Sequence, residues 1–331
     1  MDSIDFSKFD ELKEKFYGKK VAVIGDMMLD CYFWGSVSRI SPEAPVPIVE
    51  IDNEFFRFGG AANVALNILK LGGIPVPIGV IGNDNDGEIF KNLLNDSGIQ
   101  ADGIFIDKSR PTTAKSRVIA DGQHVVRIDK ESKEYISSET SQKLFAFLNR
   151  SIDDLDALIL QDYNKGVLSY DLIKESIETA NNKGKIITVD PKFNNFFSYK
   201  NVTVFKPNKK ESEDALGVKF KTEEDIIKAG EKLISKINSQ YLLLTLGENG
   251  IALFDKENNY WRIPTKARKV ADVSGAGDTV ISTLTVALSA GADIKTASYL
   301  ANYAGGLVCE EVGILPIEID YLFNTVKKEI L

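Results

Sequence analysis

The 331-residue chain contains one histidine and two cysteines, and its net charge is −8. Cys31 and Cys309 lack any metal-ligand spacing, so a reduced, cytoplasmic setting is the simplest expectation. The lone histidine, His124, falls in a hairpin pattern and is expected to be exposed, and Trp34 and Trp261 are expected to pack. A negative balance without a basic stripe argues against a nucleic-acid partner. No apolar run approaches the roughly 20 residues of a membrane span. Met1 to Lys20 mixes Asp10, Glu11, Lys13, Glu14 and Lys15 and has no signal-peptide core, so no membrane partner is expected. There is no G-x-x-x-x-G-K-[ST], which excludes a P-loop enzyme. Gly25-Asp26-Met27-Met28-Leu29-Asp30 has one glycine where a dinucleotide fingerprint needs three, which counts against a nicotinamide-linked oxidoreductase. Linkers, low-complexity segments and internal repeats are also missing, which predicts a single domain over residues 1–331.

What is present is an alternation of strand-like and helix-period segments. Val21–Gly25, Pro75–Ile81, Ala157–Leu160, Ile186–Val189, Val202–Phe205 and Tyr241–Leu246 read as strands. Gly60–Leu71, Asp86–Asp96, Tyr170–Asn181 and Glu223–Ile237 read as helices. This rhythm predicts an α/β fold with a mainly parallel sheet flanked by helices on both faces. Two segments break it, about 31–56 and 111–129. Both alternate apolar and polar residues without an intervening helix, and the second carries the hairpin signal Asp121-Gly122. They predict a small antiparallel β-lid over one edge of the sheet.

The chemistry concentrates in Asp272-Val273-Ser274-Gly275-Ala276-Gly277-Asp278, followed by an apolar run from Thr279 to Ala290. Gly275 and Gly277 permit unusual backbone conformations and close approach of a ligand. The first turn of the following helix carries unpaired N–H groups and a partial positive charge, which suit a phosphate or a developing anion. Asp278 places a proton acceptor beside that anion site. The combination suggests phosphoryl transfer to a hydroxyl group. Further acids and amides follow strand ends, where open parallel sheets bind ligands. They are Asp26 and Asp30, Asp162, Asp190, and Asn208 with Glu211. Their types suit polyol hydroxyls and hydrated Mg²⁺.

Four segments together resemble the ribokinase-like (PfkB) carbohydrate kinases. They are Asp272 to Asp278, Phe58-Gly59-Gly60-Ala61-Ala62-Asn63-Val64-Ala65, Lys206-Pro207-Asn208-Lys209-Lys210-Glu211, and Thr245-Leu246-Gly247-Glu248-Asn249-Gly250. Finer matches are similar to the branch acting on D-glycero-D-manno-heptose 7-phosphate. These are Gly25 to Tyr32, Ser38-Arg39-Ile40-Ser41-Pro42-Glu43-Ala44-Pro45-Val46-Pro47, Lys115-x-Arg117-Val118, Asp162-Tyr163-x-Lys165-Gly166 and Asp190-Pro191-Lys192. Cys31, where that branch tends to have a basic residue, and His124, where it tends to have glutamine, depart from the pattern.

The resemblance implies ATP-dependent phosphorylation of the sugar C1 hydroxyl to give a 1,7-bisphosphate, a step in ADP-heptose formation. It implies Asp278 as base, with an anion hole from the N–H groups of Gly275, Ala276 and Gly277. Asp26, Asp30, Gly59, Gly60, Asn63 and Asp162 would meet the sugar, and Arg39, Lys115, Arg117 and Lys165 its phosphate. Thr245, Gly247, Gly250, Asp272, Asn208 and Glu211 would line the nucleotide site. Glu211 and Asn208 would hold Mg²⁺ largely through water, with a monovalent cation as an optional addition. A carboxylate at a helix N-terminus is expected to stay ionised and to be a weak base. The resemblance also implies a homodimer formed through the lid and no adenylyltransferase domain. Other sugars of the family, such as ribose or fructose, and a non-catalytic sugar-phosphate sensor are the alternatives.

Overall fold

In the computed structural model, which describes residues 8–265, 272–310 and 315–330, the chain enters through a short helix, α1 (Phe9–Glu14). It continues into a central strand, β1 (Lys20–Gly25). β2 (Met27–Ile40) and β3 (Pro47–Gly60) then leave the sheet as a long hairpin, and α2 (Ala61–Lys70) leads back to β4 (Ile74–Ile81). α3 (Asn85–Ser97), β5 (Ile104–Ile106) and a second hairpin, β6 (Thr113–Ala120) and β7 (Gln123–Lys130), come next. The alternation resumes with α4 (Ser138–Ser151), β8 (Ala157–Gln161), α5 (Tyr170–Asn182) and β9 (Ile186–Asp190). β10 (Val204–Phe205), α6 (Lys209–Leu216), α7 (Glu223–Ile237) and β11 (Tyr241–Thr245) extend it. β12 (Ile251–Asp255), β13 (Tyr260–Ile263), α8 (Ala276–Ser289), α9 (Ile294–Val308) and α10 (Ile319–Ile330) follow.

The main sheet has nine strands in the order β13-β12-β11-β10-β9-β8-β1-β4-β5. Every pairing from β11 to β5 is parallel, whereas β12 and β13 are antiparallel additions at one edge. The sequence reading did not anticipate those two edge strands. Side chains of a strand alternate between faces, and β1 shows the consequence. Val21 and Val23 join one hydrophobic core with residues of α2, α8 and α9, while Ala22 and Ile24 join a second core with residues of α4, α5 and α7. Burial on both faces explains why β1, β8 and β9 read as continuous apolar runs.

Helix starts follow local chemistry. Asp84, Ser137 and Ser169 accept backbone N–H groups at the starts of α3, α4 and α5, and Asn208/Glu211 and Thr222/Asp225 form capping boxes on α6 and α7. Among the described residues no helix is long and apolar enough to cross a membrane.

The lid is a four-stranded sheet in the order β3-β2-β6-β7. Both hairpins are antiparallel, as the turn signal at Asp121-Gly122 predicts, and they join through a parallel pairing of β2 with β6. The lid begins earlier than the sequence pattern indicates, because Leu29, Cys31 and Ala114 make a small core of their own at its base. Its far end is solvated, and all eight residues of β7, His124 included, are exposed.

Candidate active site

The carboxyl ends of β1, β8, β9, β10 and β11 lie along one edge of the sheet, and the start of α8 faces them. Gly275 precedes α8 with φ of +80°, a left-handed conformation that favours glycine, and no side chain caps the helix. A pocket of about 340 Å³ opens there, and its lining includes Gly275, Ala276, Gly277 and Asp278. Asn208, Thr245, Gly247 and Gly250, four of the residues expected at a nucleotide site, line it as well. A Cβ on Gly277 would lie 3.7 Å from Asp190 and 3.8 Å from the Lys206 ammonium, so the missing side chain leaves room beside an ion pair.

Asp278 accepts three side-chain hydrogen bonds. Its Oδ2 accepts from Asn63 Nδ2 at 2.8 Å. Its Oδ1 accepts from Gln161 Nε2 at 3.1 Å and from the Tyr163 hydroxyl at 2.6 Å. With only 4% of the residue exposed, burial is the largest influence on this carboxyl and pushes it up to about 6, although Asn63 and Tyr163 pull it down. That corrects the expectation of a weak base. A helix terminus contributes about 0.3–1 kcal/mol toward the charged form. The net rise from 3.8 to about 6 is worth about 3 kcal/mol in the opposite direction. Desolvation wins, and Asp278 is a stronger base that is still ionised above pH 6.

The pocket lining also includes two lysines to which the motifs alone attach no role, Lys192 and Lys206. Lys206 pairs with Asp190 at 2.9 Å, and Lys192 pairs closely with Glu211. Burial alone would push the Lys192 ammonium down, but Asp190 and Glu211 together hold it above its ordinary value. Lys192 lies in the segment Asp190-Pro191-Lys192, so the signal was in the sequence without a role attached to it. Glu211 is already occupied: Oε2 accepts the Asn208 N–H at 2.8 Å, and Asn208 Oδ1 accepts the Glu211 N–H at 2.8 Å. Among the described residues no group of three or more His, Cys, Asp or Glu side chains could hold a metal directly. An oxygen-only pair whose carboxylate is shared with an ammonium fits a hydrated Mg²⁺ held through its waters.

Several residues expected at the sugar also hold the protein together. Both oxygens of Asp26 are used by backbone N–H groups of Tyr163 (2.7 Å), Lys165 (3.1 Å) and Val167 (3.1 Å). Burial, and then the charge of Asp162, push its carboxyl up to about 6. Asp162 is buried as well and accepts from the Tyr199 hydroxyl at 2.6 Å and the Asn164 N–H at 2.8 Å. These two carboxylates brace the 162–167 loop. Asp272 accepts the Ser274 N–H at 2.9 Å and so holds the turn before α8. Asn63 is bonded to Asp278 itself, within a buried chain in which Asn67 Nδ2 donates to the Asn63 carbonyl at 2.9 Å and Thr279 donates to Asn67 at 3.0 Å.

The remaining expectations converge at the base of the lid. Asp30 is buried and pairs with Arg117 at 2.5 Å, and a Cβ on Gly59 would come within 2.5 Å of its Oδ2. Gly60, at φ +57°, turns the chain from β3 into α2. Lys115 and Lys165 share Glu131, at 3.9 and 2.7 Å. Burial, and then the neighbouring Lys165 charge, lower the Lys115 ammonium. Arg39 does not join them. It lies about 30 Å from Asp30 along β2, with 68% of its side chain exposed and Glu50 as partner at 3.6 Å.

The fold and the pocket define a class, and comparison with known proteins places the chain within it. The family model described as "pfkB family carbohydrate kinase" matches residues 18–318. The chain belongs to that family. It is 43% identical over 303 residues to the "Bifunctional protein HldE" of Desulfatibacillum aliphaticivorans, covering 92% of this chain and 62% of that protein. It is 42% identical over 295 residues to the protein of the same name from Helicobacter pylori (strain ATCC 700392 / 26695), covering 89% and 64%. The chain therefore spans a little over three fifths of the length of these relatives.

Among solved structures, Arabidopsis thaliana ribokinase complexed with ribose and ATP superposes with a TM-score of 0.72 at 20% identity, covering 94% of this chain and 99% of that one. Escherichia coli phosphofructokinase-2 in complex with fructose-6-phosphate gives 0.73 at 18%, with the same coverage. At these identities the likeness establishes the fold: an α/β ribokinase-like sheet with a lid.

Proposed function

We propose that the protein transfers the γ-phosphoryl group of ATP to the C1 hydroxyl of D-glycero-D-manno-heptose 7-phosphate, giving the 1,7-bisphosphate. The observation that carries the kinase reading is the buried Asp278 carboxylate at the uncapped start of α8, at one end of the pocket lined by the T-x-G-x-x-G loop and Asn208. The Ser38–Pro47, Lys115–Val118, Asp162–Gly166 and Asp190–Lys192 segments, together with the HldE relatives, support the choice of sugar.

In this reading Asp278 takes the proton of the attacking hydroxyl, and the N–H groups at the start of α8 stabilise charge on the transferred group. Lys192 and Lys206 supply positive charge beside the phosphates. Mg²⁺, held through water by Glu211 and Asn208, would when bound neutralise charge on the phosphate oxygens. Arg117, Lys115 and Lys165 meet the sugar phosphate at the lid base, and Asp30 meets a sugar hydroxyl. Exposed apolar residues of β7 (Val125, Val126, Ile128) support pairing of two lids in a homodimer.

The test is ADP release over a panel of sugars and sugar phosphates, with Asp278→Asn as the blank. The variant is expected to lose about a thousandfold or more in kcat while still binding ATP. Near-normal turnover in it would remove Asp278 from the role. Activity on ribose or fructose but not on the heptose phosphate would overturn the choice of sugar.

A further inference from the structure

The acceptor geometry of Asp278 distinguishes its two oxygens. Resting on the kinase reading above, we propose that Tyr163 is a positioning residue whose hydroxyl locks Asp278 Oδ1, so that Oδ2 alone is presented to the substrate hydroxyl.

A carboxylate oxygen offers about two acceptor sites. Oδ1 receives two donors, Tyr163 at 2.6 Å and Gln161 at 3.1 Å, and is filled. Oδ2 receives Asn63 alone, at 2.8 Å, and keeps one site. A hydroxyl arriving from the pocket can donate only to that remaining site. The direction of the Tyr163 bond is fixed, because an ionised carboxylate only accepts. The phenol stays protonated, since burial first and the Asp278 charge next hold it well above its ordinary value.

Tyr163 is itself held in place. Asp26 takes its backbone N–H and those of Lys165 and Val167, and Asp162 takes that of Asn164. The Lys192 ammonium sits 5.3 Å from the centre of its ring. The hydroxyl therefore reaches Asp278 from a loop braced on both sides, with little freedom left to lose on catalysis.

A packing role for the ring makes a different forecast from a role for the hydroxyl. The groups facing the carboxyl are Asn63 on α2, Gln161 and Tyr163 at and beyond the end of β8, Asp190 and Lys192 at and beyond the end of β9, and Lys206 beyond β10. Of these, Tyr163 is a neutral donor that favours the charged carboxylate. Its loss must make Asp278 harder to ionise, whereas loss of packing alone has no such directed effect.

The experiment follows the Asp278 carboxyl by carbon-13 NMR in the ligand-free protein, with Asp278→Asn identifying the resonance. In Tyr163→Phe the titration is expected to move up by about half a pH unit or more. The acid limb of kcat should move with it, and kcat should fall about tenfold with KM for ATP nearly unchanged. An unmoved titration in folded Tyr163→Phe overturns the proposal. If that variant does not fold, Gln161→Leu removes the other Oδ1 donor and must raise the titration likewise; no movement there overturns the lock. The carboxyl titration needs no turnover. A shifted titration with no Asp278-dependent ADP release from any sugar upholds the pairing and overturns the kinase reading, while turnover with an unmoved titration does the reverse.

Discussion

Asn63 donates to Asp278 Oδ2 at 2.8 Å across 215 residues of chain. The bond joins the glycine-rich segment that opens α2 to the segment that opens α8. In a sequence these look like two separate signatures. In the folded protein they meet at one point, where an amide from the first orients the carboxylate of the second.

The pH dependence of turnover should follow from the burial of Asp278. In the proposed mechanism Asp278 works only when deprotonated, and its carboxyl is pushed up to about 6 by desolvation. Turnover should therefore rise with pH to a plateau, with its acid limb centred near pH 6. A pH–rate profile at saturating substrates checks this, and a limb near pH 4 would show that burial does not govern the base.

Gly277→Ala should separate folding from turnover. The new Cβ meets nothing closer than 3.7 Å, and alanine gains about 1 kcal/mol over glycine in a helix. Thermal stability should hold or rise slightly. The methyl group would occupy the space beside Asp190 and Lys206 where a phosphoryl group must approach, so kcat should fall by two decades or more. Thermal melts and ADP release measured on the same preparation decide it.

Stability should also record the buried carboxylates. Asp26 and Asp278 have folded values near 6 against an ordinary 3.8. Between about pH 4 and 6 the folded state thus binds more protons than the unfolded one, and stability falls as pH rises through that window. Each carboxyl contributes a loss on the order of 3 kcal/mol. Urea unfolding at pH 4, 5 and 6 should give a shallower fall for Asp278→Asn than for the wild type. Parallel slopes would contradict the assignment.

Lys165→Met tests the lid base. A charge-assisted bond to a phosphate is worth about 1.5–3 kcal/mol. KM for the phosphosugar should rise tenfold or more, with KM for ATP little changed. Initial rates with each substrate varied in turn are the measurement.

The α/β rhythm was legible because β1, β8 and β9 are buried on both faces and so are written in apolar residues, while their helices are marked by side-chain caps. The two antiparallel edge strands were not legible, since Ile251–Asp255 and Tyr260–Ile263 carry no periodicity that distinguishes direction. Asp26 and Asp162 show the same limit within the site. Both stand just past strand ends, where ligands bind, and the sequence does not show that Asp26 takes three backbone donors of the 162–167 loop, or that Asp162 takes a backbone N–H and the Tyr199 hydroxyl.

By itself the sequence determined the class of chemistry. A glycine turn, a helix start and an acid must be contiguous to place an anion site beside a base, and contiguity is visible in sequence. Which acids are free to act was decided only by the tertiary structure. The strength of a base and the vacancy of its oxygens depend on burial and on donors brought from α2 and from the loop after β8. Asn63, Gln161 and Tyr163 converge on Asp278 from two distant segments, and that convergence exists only once the sheet and its helices have packed.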